Sequence, residues 1–165
     1  MTNPPIKKNL PAYTLIEMLV VLAIIGITST ILLVDWSGNR TIQYLDSSGG
    51  EVQAIVRSAQ NYALTGVQGV AATQPCSFRI QWSGSSYQIM YYYKNGGACG
   101  QLSTLSSYTL ANGVTFDSAG SFDFTVPYAT VSGSQTIPLV KLGVNHVVCV
   151  YTSGRINHVT GPTCP

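Results

Sequence analysis

The stretch Tyr13–Val34, YTLIEMLVVLAIIGITSTILLV, decides how the rest of the chain is read. It is almost unbroken apolar sequence, with one carboxylate, Glu17, near its start. At about 1.5 Å per residue a helix of this length spans roughly 33 Å, enough for a bilayer core of about 30 Å. The expectation is a transmembrane and assembly helix over 13–34. An acid in hydrocarbon costs about 2.5–3.5 kcal/mol on insertion scales, so Glu17 needs a partner. No Lys or Arg lies within the stretch, and the partner must come from elsewhere.

On the N-terminal side, residues 1–12 (MTNPPIKKNLPA) carry Lys7 and Lys8 just before the apolar run. The positive-inside rule keeps such a leader cytoplasmic and sends the C-terminus across the membrane. Charged residues make up only 8% of the chain, against about 25% in a typical soluble domain. Lys7 and Lys8 are two of eight basic residues, so the other six balance the six acids. A C-terminal region of balanced charge has no global field to attract nucleic acid or a membrane surface.

On the C-terminal side, residues 35–50 (DWSGNRTIQYLDSSGG) read as a break. Ser48-x-x-Glu51 has the form of a capping box for a second helix. Val52, Ile55, Val56, Ala59, Tyr62 and Ala63 follow at helical spacing, and this amphipathic helix ends near Gly66. From Ala72 the period changes to two. Ser77–Trp82 and Tyr87–Lys94 flank Ser83–Ser86 as a hairpin. Val114–Phe116, Ser121–Val126, Thr136–Leu142, His146–Thr152 and Arg155–Val159 read as further strands. The apolar run Val147–Tyr151 marks a central strand buried on both faces. The expected fold class is α+β: a long N-terminal hydrophobic helix, then an amphipathic helix packed on an antiparallel β-sheet head. The expected divisions are 1–12 (leader), 13–34 (anchor), 35–66 (break and second helix) and 67–165 (head).

Four cysteines, Cys76, Cys99, Cys149 and Cys164, all lie in the head. An even count in an exported segment reads as two disulfides. Pairing Trp82 with Tyr87 across the hairpin brings Cys76 near Tyr93, with Cys99 shortly beyond. That favours Cys76–Cys99 and leaves Cys149–Cys164. A rival is a metal site from His146, Cys149, His158 and Cys164, but no C-x-x-C pair is present and the expectation is no metal.

Residues Ala12-Tyr13-Thr14-Leu15-Ile16-Glu17 through Gly26 resemble the class III signal of type IV pilins and type II secretion pseudopilins. Ala12 stands where glycine is usual, and Tyr13 where phenylalanine is usual. The resemblance implies that a prepilin peptidase cuts between Ala12 and Tyr13 and that the new amine of Tyr13 is methylated. It also implies that Glu17 pairs with the N-terminal amine of a neighbouring subunit, with the helix as the pilin spine. The strands from Phe122 to Ile156, closing on Gly154-Arg155, resemble the C-terminal sheet of the GspH/FimT group of minor pseudopilins. The implied protein is a structural subunit, minor in its filament, of a type IV pilus or type II secretion pseudopilus. Its partners are other pilin subunits, the peptidase and, before assembly, the membrane. It is expected in the bacterial cytoplasmic membrane as a single-pass protein, then in the filament. The alternatives are a DNA-uptake pilin that binds nucleic acid through Arg155, and a plain membrane-anchored exported domain.

No G-x-S-x-G elbow, Walker loop or H-E-x-x-H is present. Asp117 and Asp123 read as a turn residue and an exposed strand residue. His146 and His158 read as surface or hairpin residues. Tyr91, Tyr92 and Tyr93 alternate faces and form no single aromatic platform. The sequence predicts neither an enzyme nor a cofactor.

Overall fold

A computed structural model describes residues 14–66 and 74–165, without the side chains of 31–38 and 95. The chain divides into two compact units, Met1–Asn39 and Arg40–Pro165.

Helix α1 is assigned over Leu15–Thr65. Thr14 caps its start: the backbone N–H of Glu17 donates to the Thr14 carbonyl at 3.1 Å and to the Thr14 hydroxyl at 3.4 Å. Thr14 and Glu17 thus hold the N-cap and N3 positions of a capping-box sequence, and the acid sits where the helix dipole favours it. Thr28, Ser29 and Thr30 turn their hydroxyls back onto carbonyls of the preceding turn, including those of Ile24 and Ile25.

This first unit corrects the membrane expectation. Among the described residues no helix is long and apolar enough to cross a membrane. The hydrophobic spine expected over 13–34, the single-pass anchor and the cytoplasmic-membrane location built on it are therefore withdrawn. The break over 35–50 is also corrected, because the helix assignment runs through it. Ser48, read as an N-cap, is a buried residue inside the helix.

Within Arg40–Pro165, the helix has one buried face, which begins before the predicted start of the second helix. Thr41, Leu45, Ser48, Gly49, Val52, Val56, Ala59 and Ala63 are all buried, at spacings of three and four. Ile55 and Tyr62 pack on the same core, half-buried. Its polar flank holds the end of the chain: Gln53 Nε2 donates to Ile156 O at 2.8 Å, and Gln60 Nε2 to Gly154 O at 3.0 Å.

Among the described residues eight strands form two antiparallel four-stranded sheets, where one head sheet was expected. Strands β1 (Pro75–Ser83), β2 (Ser86–Asn95), β3 (Ala98–Thr109) and β5 (Gly120–Thr125) lie in the order β3-β2-β1-β5. Strands β4 (Thr115–Phe116), β6 (Gln135–Lys141), β7 (Val144–Val150) and β8 (Ile156–Thr160) lie in the order β4-β6-β7-β8. The β1–β2 register pairs Trp82 with Tyr87, as the hairpin reading requires. Gly84 makes that two-residue turn possible with φ of 60°. Phe78, Ile80 and Trp82 of β1 and Phe122 and Phe124 of β5 join the helix stripe in one apolar core. In β7 every residue from His146 to Val150 is buried, which fits its place between β6 and β8.

Candidate functional site

Ala12 and Tyr13 lie outside the described residues. Glu17 is exposed in the first turn of α1. Around it the helix presents large apolar side chains to solvent: Leu15 is 80% exposed, Ile16 71%, Leu22 66% and Ile27 64%. Met18, Leu19, Val20, Val21, Ile24 and Ile25 are exposed as well. A contiguous apolar surface of this kind marks a place where something else packs.

Both disulfides of the head are formed, in the pairing that the hairpin register favours. Cys76 on β1 joins Cys99 on β3, and Cys149 on β7 joins Cys164 in the tail. No cysteine is free. The cysteines are therefore not available to the metal set weighed from sequence.

Arg155 is exposed at the β7–β8 turn, its guanidinium 4.4 Å from the centre of the Tyr151 ring. The turn itself is fixed by Gly154 at φ 82°. Asp123 sits on β5 opposite Arg79 of β1, and its two oxygens accept from Arg79 Nε and Nη2 at 2.7 and 2.8 Å. That hydrogen bond pushes the Arg79 pKa up. The pair is a cross-strand structural link. Asp117 is exposed at the bend after β4.

Both histidines lie on the β7–β8 hairpin, one of the two placements read from the sequence, but neither is an exposed surface residue. His146 is fully buried and His158 half-buried. Strand pairing sets His146 opposite Thr160 and His158 opposite Val148, so the two are diagonal neighbours on one face of β7 and β8. His146 Nδ1 lies 3.0 Å from His158 Nε2. Asp46 of α1 brings its Oδ1 to 3.4 Å from the same His146 nitrogen. The three ligand-type atoms all lie within 4.8 Å of one another.

Gly49, one helical turn beyond Asp46, makes room for this arrangement. A β-carbon there would lie 2.2, 2.4 and 2.6 Å from His158 Nε2, Cδ2 and Cε1. Near-equal distances to three ring atoms place Gly49 over the face of the imidazole, so the in-plane lone pair of Nε2 stays clear. Burial, and secondarily the charge of His146, pushes the His158 pKa down. Among the described residues His146 Nε2 is buried without a hydrogen-bond partner, and the polar contacts of the ring run through Nδ1. Asp46 was missed because it falls in the stretch read as a break. One signal was available: the chain has only two histidines, and both lie on strands that the Ser153-Gly154 turn pairs.

Comparison of the chain with protein-family models, with curated proteins and with solved structures finds no match.

Proposed function

We propose that the protein is a pilin-like structural subunit, cut between Ala12 and Tyr13 and assembled with other such subunits through the start of α1. The observation that carries this reading is the exposed apolar surface of Leu15–Ile27 around a capped acid. In water this surface is unfavourable, at about 25 cal/mol for each Å² left uncovered. The apolar start of α1 in other copies or relatives covers it in a filament. The hydroxyls of Thr28, Ser29 and Thr30 are already bonded within the helix, so they add little desolvation cost when neighbours close over them. Glu17 is the exception to that apolar surface, and the new α-amine of Tyr13 on a neighbour supplies its counter-charge. A buried acid is tolerated when it is paired.

The role is architectural. Among its described residues the head shows no assembled nucleophile–base pair, and the Arg79–Asp123 pair links two strands. Determining the N-terminus of the protein recovered from filaments tests the proposal. A mature chain beginning at methylated Tyr13 is expected. A chain beginning at Met1, or cut after the apolar run, sinks it.

A further inference from the structure

The geometry points to a transition-metal site of the zinc class, formed by His146 Nδ1, His158 Nε2 and the carboxylate of Asp46, that ties α1 to β7 and β8. Two ligands held about 2.0–2.1 Å from a tetrahedral zinc lie about 3.3 Å from each other. The observed separations of 3.0 Å between the two nitrogens and 3.4 Å from nitrogen to carboxylate oxygen bracket that edge. All three atoms converge within 4.8 Å. The donors are two imidazoles and one carboxylate, which suit zinc, cobalt or nickel rather than the all-oxygen shells of calcium and magnesium. One ligand comes from each of three elements, and two of the three are held by strand register.

Gly49 is the second, independent sign of a built site. The helix carries no β-carbon where the His158 ring passes, and the ring meets the helix face-on with its Nε2 edge open. Asp46 is 57% exposed at its side chain, so the fourth coordination position faces solvent and takes water. A dication there neutralises the Asp46 charge. It also replaces a hydrogen bond between two histidines, which needs a particular tautomer, with a bond that needs both rings neutral at the ligating atoms.

The test uses the untagged, oxidised full chain, stripped with EDTA and dialysed. Zn²⁺ is titrated calorimetrically, and Co²⁺ is followed by visible absorption. One Zn²⁺ per chain, and the intense visible bands of tetrahedral Co²⁺, are expected. His158→Gln and Asp46→Asn are each expected to weaken Zn²⁺ binding at least tenfold. Asp117→Asn, which removes a carboxylate outside the cluster, leaves it unchanged. Asp46 is exposed, so its variant remains informative if the histidine variant folds poorly; near-ultraviolet circular dichroism in EDTA checks folding. Absence of stoichiometric Zn²⁺ binding to the native chain overturns the assignment. So does binding of wild-type strength in Asp46→Asn.

Discussion

Gly49 of helix α1 lies flat against the imidazole of His158, close enough that a β-carbon on the glycine would come within 2.2 Å of Nε2. Among the described residues, nothing lies within 4 Å of the same position on its neighbour Gly50. The two glycines therefore separate helix propensity from packing. Gly→Ala inside a helix gains up to about 1 kcal/mol. Gly50→Ala is expected to stabilise the protein by about that amount. Gly49→Ala gains the same propensity but must displace a ring held by His146, and overpacking costs about 1–3 kcal/mol. A net destabilisation of about 1 kcal/mol is expected in urea unfolding. If both variants stabilise, the close approach of Gly49 to His158 plays no part in stability.

The same pair explains why the middle of the helix was illegible. Ser47-Ser48-Gly49-Gly50 carries every local signal of a break. Tertiary contacts override it, because the Gly49 position is filled by a neighbour's ring and Ser48 lies in the buried stripe. The stripe itself was present in the sequence: Thr41, Leu45 and Ser48 continue the spacing of Val52, Val56, Ala59 and Ala63. Only the polarity of two of its members hid it. The strands were easier. Alternating apolar residues gave β1, β2 and β4 through β8 within a few residues. Strand β3 was not seen, since its Ser- and Thr-rich sequence lies at a sheet edge and most of its residues are exposed.

Tyr87 and Glu51 join β2 to the helix. The phenol, almost fully buried, donates to Glu51 Oε1 at 2.6 Å. Burial first, and then this hydrogen bond, pushes the Tyr87 pKa up, so the phenol stays a donor through the usable pH range. Tyr87→Phe keeps the ring packing on Phe116 and Tyr108 and removes only the donor. Glu51 is exposed and rehydrates. A loss of about 1 kcal/mol is expected in chemical denaturation, near the usual net value of one hydrogen bond. A loss above about 3 kcal/mol is incompatible with this account and implicates the ring.

The disulfides close loops with sequence separations of 23 and 15 residues. In the chain-entropy model each contributes about 3 kcal/mol by restricting the unfolded chain. The Cys149–Cys164 bridge has a further task. Cys149 is buried in β7, and the tail it holds includes the Pro165 carbonyl, which accepts from the Tyr151 hydroxyl at 3.2 Å. Cys164→Ser is therefore expected to lower stability by about 3 kcal/mol and to free the tail for proteolysis. Calorimetry and limited digestion check the two effects. An unchanged melting temperature is the contrary result.

The apolar start of α1 yields the last prediction. Glu17 is exposed in the first unit, and its backbone N–H closes the Thr14 cap whatever its side chain. Glu17→Ala therefore removes little from the isolated chain: about 0.3–1 kcal/mol of dipole interaction at the helix start. Unfolding of the Arg40–Pro165 unit should not change. In the proposed filament the balance differs. The wild-type carboxylate meets the Tyr13 amine of a neighbour among apolar side chains. The variant leaves that amine buried and unpaired, a change of about 3–5 kcal/mol per subunit. By the Boltzmann relation this lowers incorporation at least a hundredfold. Quantifying the variant in purified filaments, with head stability measured in parallel, separates assembly from folding. Incorporation at the wild-type level would make Glu17 a residue of the helix cap alone and would remove the counter-charge from the assembly proposal.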